Sequence, residues 1–316
     1  MDKYDNYTYL VSRQMNIVFS TGIQARNEIA KLSNAGTRII SYQTKGPNCG
    51  SIQDSLVGMA ELTKEGILFD KWHAMALMAT VEKFTKKIDF ANRIYTSREL
   101  VSLTLPSINI LGRKSKVYMP QYAPFIKYHP NDISVEIKNG HLNSGIIDKA
   151  CIGHNTKGSI YQIINNKLGS DQALEMIYTF SQLATQFFYN HGFTIGLEDL
   201  ILSEQAMKQI KLNTEQILHN ARQITEKLNK RELHPPIGIN LIDYYETEQM
   251  TALEPGDDFV VPILADIDFN TNKLIKLVFT GSKGSIPNII GINAALGNRT
   301  INGARLIKQY GFMTEK

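Results

Sequence analysis

The sequence predicts an α+β fold in which a mixed helical and stranded domain is followed by a helical hairpin. Three observations lead to this prediction. Apolar residues recur at helical spacing over 173–188 and again over 203–233, and an Asn-Gly pair at 139–140 separates two segments with strand character. Of the 316 residues, 43% are hydrophobic, which is enough for a substantial core in one or two domains.

The first predicted elements are helices. Thr21 followed by Gln24 forms a capping-box pattern, which predicts a short helix that ends before Asn34. Apolar residues at three- and four-residue spacing predict a second helix, with a buried face, over Asp70–Ile88. The apolar positions of this second helix are Trp72, Met75, Leu77, Met78, Val81, Phe84 and Ile88.

A β-rich region is predicted over residues 106–152. Ser97 can cap a helix that ends by Thr104, because Pro106 disfavours helical dihedrals in the residue before it. A strand over Ile108–Leu111 comes next. The segments ISVEIK and HLNSGIID then flank the Asn-Gly pair, which predicts a two-residue hairpin turn.

Helical spacing returns after this region. The stripe over 173–188 predicts a helix that packs on the core and is capped by Gly192. The narrow heptad seam over 203–233 requires one partner helix, so we expect a projecting hairpin. Residues 237–258 are interpreted as its tip or as an excursion, with a solvated acidic surface formed by Glu246, Glu248, Glu254, Asp257 and Asp258.

The segment ILADIDF (263–269) is predicted to be a strand. Asp266 and Asp268 alternate along it and would therefore share one face. Paired carboxylates can hold a divalent metal ion, but no other ligand is close in sequence. We therefore interpret the two aspartates as solvent-facing.

Charge and composition exclude several functional classes. Lys and Arg number 34 against 30 Asp and Glu, a net charge of +4, so any contact with a polyanion must be local. The two cysteines and seven scattered histidines give neither a disulfide framework nor a zinc site, so no zinc is expected.

No signal peptide or apolar span of membrane length is apparent, which predicts an intracellular protein without a membrane partner. No Ser/His/Asp or Cys/His arrangement indicates a catalytic site in this chain.

Three segments are rich in glycine and small polar residues, at 45–58, 191–200 and 279–291. In the third, the run GSKGS (281–285) combines exposed backbone amides with the charge of Lys283, as in a phosphate cradle. It lacks the spacing of a nucleotide P-loop. On these residues alone, proximity to phosphate or nucleic acid and a tight structural turn both remain open.

Taken in order, these segments resemble the largest, beta-prime-type subunit of multisubunit DNA-directed RNA polymerases, in its eukaryotic and large-DNA-virus form. The similarity extends from residue 14 to about residue 306, and it rests on the order of the motifs. These are QMN (14–16), GSIQDSLVGMAELT (50–63), LPSINI (105–110), SGIIDKACIG (144–153), GSIYQIINNKLGSDQA (158–173), FFYNHGFTIGLEDL (187–200), GSKGSIPNI (281–289) and GNRTINGARL (297–306).

The resemblance implies a domain order. A divergent tail (1–13) precedes the end of the active-site domain (14–41), a pore domain (42–200), a funnel domain (201–280) and the start of the segment leading to the bridge helix (281–316). In this family the pore and funnel line the secondary channel, through which nucleoside triphosphates enter and backtracked RNA 3′ ends leave.

The resemblance also implies which residues face this channel. Lys283 is the first candidate for contact with phosphate, with Ser282, Ser285 and Asn288 beside it. The remaining candidates are Gln53 and Arg299, which lies in the variant GNRTINGAR. At Gln53 the alternative to a channel role is a structural one, in which the adjacent Asp54 caps a helix.

The family's catalytic loop, Asn-Ala-Asp-Phe-Asp-Gly-Asp, binds Mg²⁺ and would lie immediately before Met15. The sequence has YLVSRQ (9–14) there. We therefore expect no catalytic residue in this chain, no polymerisation by the chain alone, and Mg²⁺ held by another chain of the assembly.

The expected partners are that chain, the second-largest subunit, the DNA template, RNA and nucleoside triphosphates. A split gene and a fragment left by an inserted element both fit, as does a non-catalytic interaction module or remnant derived from the subunit. The abundance of Asn, Lys and Ile fits a large DNA virus, and the expected location is the cytoplasm, the nucleus or a virion.

Overall fold

The computed structural model describes residues 19–86, 93–298, 300–301 and 304–305, and these residues form an α+β fold. The helices are α1 (Ile23–Lys31), α2 (Asp54–Leu62), α3 (Lys71–Met78), α4 (Ser97–Thr104), α5 (Pro130–Ile133), α6 (Lys149–Ile152), α7 (Ile160–Leu168), α8 (Ser170–His191), α9 (Glu204–Asn229), α10 (Leu241–Ala252), α11 (Asp257–Asp266), α12 (Lys273–Phe279) and α13 (Ile286–Asn293).

The strands form small antiparallel sheets. They are β1 (Leu68–Phe69), β2 (Tyr95–Thr96), β3 (Ile110–Lys114), β4 (Ser134–Lys138), β5 (His141–Ser144), β6 (Thr300–Ile301) and β7 (Ala304–Arg305). Strands β3, β4 and β5 lie side by side, whereas β1 pairs with β2 and β6 with β7. The predicted hairpin is confirmed, because Asn139 and Gly140 join β4 to β5 with φ angles of 50° and 71°.

The first hydrophobic core is built around α8. Its apolar stripe is buried at Phe180, Leu183 and Phe187, and Gly192 follows the helix with φ 67°, as the sequence predicts. Helix α2 packs closely on α8 at Gly58, where an added Cβ would lie 2.7 Å from the Cβ of Ala184. Glycine is therefore required at this crossing.

Two of the predicted helix boundaries are wrong. The first helix begins at Ile23 after Gly22, with no side-chain cap, so Thr21 does not form the predicted capping box. Helix α3 ends at Met78 rather than at Ile88, and Trp72 is 71% exposed. Its core-facing positions are Ala74, Leu77 and Met78.

Helix α4 has the predicted bounds, but its cap differs from the prediction. Thr96 rather than Ser97 is the cap, because Thr96 and Glu99 form a reciprocal capping box. The strand predicted over Ile108–Leu111 begins at Ile110 and continues to Lys114.

The helical hairpin is confirmed, and its second arm lies where the sequence suggested a tip. Helices α9 and α10 are the two arms. Gln249 on α10 is buried, and its amide donates to the carbonyl oxygen of Ala221 at 2.7 Å and to Thr225 Oγ1 at 3.0 Å. Residues 241–252 are therefore the partner helix required by the seam on α9.

The acidic surface predicted over 237–258 is partly engaged. Glu246 accepts two hydrogen bonds from Arg305, at 2.6 and 2.9 Å, and so attaches β7 to α10. Asp257 accepts a hydrogen bond from the hydroxyl of Tyr122 at 3.0 Å. Neither carboxylate is merely solvated.

The strand predicted over 263–269 is wrong, because residues 257–266 form helix α11 with Pro262 inside it. Its buried residues are Phe259, Val260, Ile263 and Leu264, which form part of the second hydrophobic core together with Ile275, Phe279 and Ile289. Asp266 accepts the Ser203 amide at 2.7 Å at the start of α9 instead of lining a strand face.

The two cores are joined by polar contacts. Lys276 on α12 is 3% exposed, and its ammonium lies 2.6 Å from the carboxylate of Glu61 on α2. Asp199 accepts the Lys273 amide at 2.8 Å, and its carbonyl oxygen accepts a bond from Asn272 at 2.7 Å. Across the described ranges, no helix is both long enough and apolar enough to cross a membrane.

Candidate phosphate-binding surface

The GSKGS run forms a tight turn between α12 and α13. Gly281 and Gly284 have φ angles of 78° and 77°, which side-chain-bearing residues rarely adopt. The carbonyl oxygen of Leu277 accepts the amides of Ser282 and Lys283, at 3.1 and 3.3 Å. The side chain of Lys283 is exposed on this turn.

Ser285 and Asn288 are brought together at the start of α13. The amide and the hydroxyl of Ser285 both donate to Asn288 Oδ1, at 2.9 and 2.7 Å. These two predicted channel residues thus cap the helix, and both remain exposed.

Ser282 and Gln53 are also brought together. The hydroxyl of Ser282 donates to the carbonyl oxygen of Gln53 at 2.8 Å, which fixes the turn to the start of α2. Gln53 occupies the cap position of α2 with φ 48° and no side-chain cap bond. The alternative of a cap at Asp54 is wrong, because Asp54 is the first residue of the helix.

Two lysines that the sequence analysis did not single out converge on the turn. A Cβ atom added at Gly281 would lie 2.8 Å from Lys149 Cδ and 2.9 Å from Lys116 Nζ. The backbone of α6 is hydrogen-bonded to the residue before Gly281, since the Lys149 amide donates to the carbonyl oxygen of Thr280 at 3.3 Å. Glycine at position 281 leaves the space that both side chains occupy.

The electrostatics of this cluster favour an anion. Burial, and then the charge of Lys116, lower the pKa of Lys149. Burial and the charge of Lys149 likewise lower the pKa of the neighbouring His154. Within the described part of the chain, neither Lys116 nor Lys149 forms an ion pair with a carboxylate. A bound phosphate would relieve the repulsion between them.

The surface offers cations and backbone amides but no metal centre. In the described residues, no group of three or more His, Cys, Asp or Glu side chains is placed to hold a metal ion. The residues therefore fit the binding of phosphate oxygens, and they do not fit the Mg²⁺ implied by the family.

Sequence reasoning missed Lys116 and Lys149 because no local pattern connects them with GSKGS. The glycine at 281 indicates a close approach, but it does not indicate which residues approach. Arg299, the last predicted channel residue, lies outside the described residues.

Comparison with known proteins identifies the class of molecule. Residues 38–200 match the family RNA polymerase Rpb1, domain 3. The chain is 34% identical to the DNA-directed RNA polymerase RPB1 homolog of African swine fever virus (isolate Tick/Malawi/Lil 20-1/1983) over 309 residues, which cover 95% of this chain and 21% of that protein.

Two cellular relatives are more distant. Identity is 25% to the DNA-directed RNA polymerase II subunit RPB1-B of Trypanosoma brucei brucei, covering 95% of this chain and 16% of the relative. It is 27% to the DNA-directed RNA polymerase subunit Rpo1N of Methanothermobacter thermautotrophicus, covering 94% of this chain and 34% of the relative.

These similarities define a segment of a multisubunit RNA polymerase. The chain belongs to the largest-subunit family of DNA-directed RNA polymerases, within which it includes the Rpb1 domain 3. It spans about a fifth of the length of the African swine fever virus relative.

Proposed function

We propose that this chain forms the pore and funnel wall of the secondary channel in a DNA-directed RNA polymerase, where nucleoside triphosphates enter and backtracked RNA 3′ ends leave. The observation that carries the proposal is the convergence of Lys116 and Lys149 on Gly281, close in sequence to the exposed Lys283. Both proposed ligands present phosphates, which lysine ammonium groups bind as point charges.

The domain division is part of this proposal. The pore domain would comprise residues 42–200 and the funnel domain residues 201–280, between the end of the active-site domain (14–41) and the segment that leads to the bridge helix (281–316). The hairpin of α9 and α10 supports the assignment of a helical funnel. Tyr122 packs in the second core, so the two proposed domains share a boundary built from side chains of both.

We propose that catalysis belongs to the assembly. Nucleotidyl transfer requires Mg²⁺ to stabilise charge on the phosphates, and its ligands would come from a chain with the aspartate loop. The second-largest subunit, the DNA template and RNA would complete the complex. This chain would contribute access to the active site and positioning of phosphates. The assembly would be located in the cytoplasm, in the nucleus or, for a viral enzyme, in the virion.

The first helix supports assembly over an independent module. None of its residues is buried, and Ile23 and Ile29 are 79% and 51% exposed. Leu32, directly after the helix, is 58% exposed, and Phe19 before it is 86% exposed. We therefore take the surface around this helix to be an interface with another part of the assembly.

Affinity purification of the tagged chain from its native source tests the proposal, with mass spectrometry of the proteins recovered in near-equal amounts. We expect a chain with the aspartate loop and a second large subunit. An Ile23→Asp variant should recover less of both, because it places a charge on the exposed surface of α1. A matched Leu111→Asp variant, at a residue 66% exposed on β3, should recover the wild-type amounts.

Recovery of the chain alone would contradict the proposal. It would support instead an interaction module or a remnant that has only its ancestry in common with the polymerase.

A further inference from the structure

The buried carboxylate of Asp148 joins two segments that are distant in sequence. Asp148 is 0% exposed and precedes α6, whose Ala150 amide donates to its Oδ1 at 2.8 Å. Its other oxygen, Oδ2, accepts the Val117 amide at 2.9 Å, across 31 residues. A helix cap alone needs only the first of these bonds.

Each of the joined segments has a lysine next to the bonded residue. Lys116 precedes Val117, and Lys149 follows Asp148. The two lysine side chains meet at Gly281. The two backbone segments from which these side chains extend are thus joined through Asp148.

The arrangement is costly without an anion. Two lysine side chains approach the same glycine, and burial together with the charge of Lys116 lowers the pKa of Lys149. A buried carboxylate is also costly, since burial raises the pKa of Asp148 to about 6 against the opposing backbone hydrogen bonds. A serine could cap α6 without a buried charge. We therefore attribute the presence of a carboxylate to the second bond, the one that Oδ2 accepts from the Val117 amide.

We propose that Asp148 is a positioning residue that holds Lys116 and Lys149 as one anion-binding pair for phosphate groups. The inference rests on the proposed phosphate-binding function, which it deepens by naming the pair and its support. Asp148 acts only through the backbone of the two segments and does not touch the ligand.

The test measures binding of inorganic tripolyphosphate to the full chain by calorimetry. We expect Lys116→Ala and Lys149→Ala each to weaken binding about tenfold, which is the effect of losing one charged hydrogen-bonding partner. Asp148→Ser should weaken binding to a similar extent, although serine preserves the cap of α6. Far-UV circular dichroism establishes that each variant is folded.

Asp199→Asn is the matched control. Asp199 is 6% exposed and also accepts two backbone amides, from Gly196 at 2.9 Å and from Lys273 at 2.8 Å. Asn at position 199 should lower stability and leave tripolyphosphate affinity unchanged.

A double-mutant cycle separates positioning from general loss of structure. In the wild type, the effects of Lys116→Ala and Lys149→Ala should be coupled, and in the Asp148→Ser background they should become additive. Wild-type affinity in Asp148→Ser, with weakened binding in both lysine variants, would overturn the role of Asp148 alone. Wild-type affinity in both lysine variants would overturn the phosphate-binding pair itself.

Discussion

The hydroxyl of Ser282 lies 2.8 Å from the carbonyl oxygen of Gln53, although the two residues are 229 positions apart in sequence. The same carbonyl also accepts the amides of Leu56 and Val57 at the start of α2. The GSKGS turn of the second core is therefore fixed to a helix terminus of the first.

Ser282→Ala should lower the free energy of unfolding by about 1 kcal/mol, since it removes one hydrogen bond between the cores. Urea unfolding measures this difference. Ser282→Thr keeps the hydroxyl and should remain near the wild type. Equal stability of the alanine variant and the wild type would show that the contact contributes nothing.

Gln53→Gly should stabilise the chain by about 1 kcal/mol. Gln53 has φ 48°, and such a conformation costs a non-glycine residue about 1 to 3 kcal/mol, which exceeds the added entropy of glycine in the unfolded chain. Thermal unfolding of Gln53→Gly and Gln53→Ala separates the backbone effect from loss of the side chain. A glycine variant no more stable than the alanine variant would contradict this account.

Lys276→Met should destabilise the fold by about 2 to 4 kcal/mol, because it leaves the carboxylate of Glu61 without its partner in a largely buried place. The double variant Lys276→Met with Glu61→Leu should recover most of the loss. Lys211→Met, at an exposed position on α9, is the control and should change stability by less than about 0.5 kcal/mol. Chemical denaturation measures all three.

Asp148 predicts a specific pH dependence. Its pKa is about 6 in the folded chain, above the usual value of 3.8, so the folded state binds the proton more tightly than the unfolded state does. This tighter proton binding adds about 3 kcal/mol to the free energy of unfolding. The contribution is fully present below about pH 4 and is lost as the pH rises through 6.

The stability difference between the wild type and Asp148→Ser should therefore shrink from pH 4 to pH 7. Urea unfolding at several pH values measures it. A difference that stays constant over this range would contradict the assignment of the shift to Asp148.

Lys283→Ala should slow elongation or transcript cleavage about fivefold in a reconstituted polymerase and leave assembly intact, because it would remove a charge that we propose faces phosphate, worth about 1 kcal/mol. Lys227→Ala, which removes an exposed charge from α9, is the control. Unchanged rates in the Lys283 variant would remove this residue from the proposed channel wall.

Elements specified by local chemistry could be predicted from the sequence. The Asn139-Gly140 turn needs two positive φ angles that few other pairs adopt, and the stripe on α8 has an unbroken helical period. Helix α11 was missed because a short apolar run around Pro262 fits either a strand or a helix. Only packing against Phe279 and its neighbours in the second core distinguishes them.

The candidate site divides in the same way. The sequence pattern predicted the turn that carries Lys283 and Ser282, since glycines and small polar residues mark a turn where backbone amides are exposed. Lys116 and Lys149 reach the site through contacts between segments that are distant in sequence. A local sequence pattern does not reveal such contacts. Their role follows from the position of Gly281 and from the Asp148 bonds.

The distance in sequence between Gln53 and Ser282 also governs when this surface can exist. In a chain emerging from the ribosome, α2 and α8 are available before the turn that contacts Gln53, which is synthesised more than 200 residues later. Contacts of such long range close late and slow folding. The lysine cluster is thus completed at a late stage of folding, and partly synthesised chains would present the first core without a binding surface for phosphates.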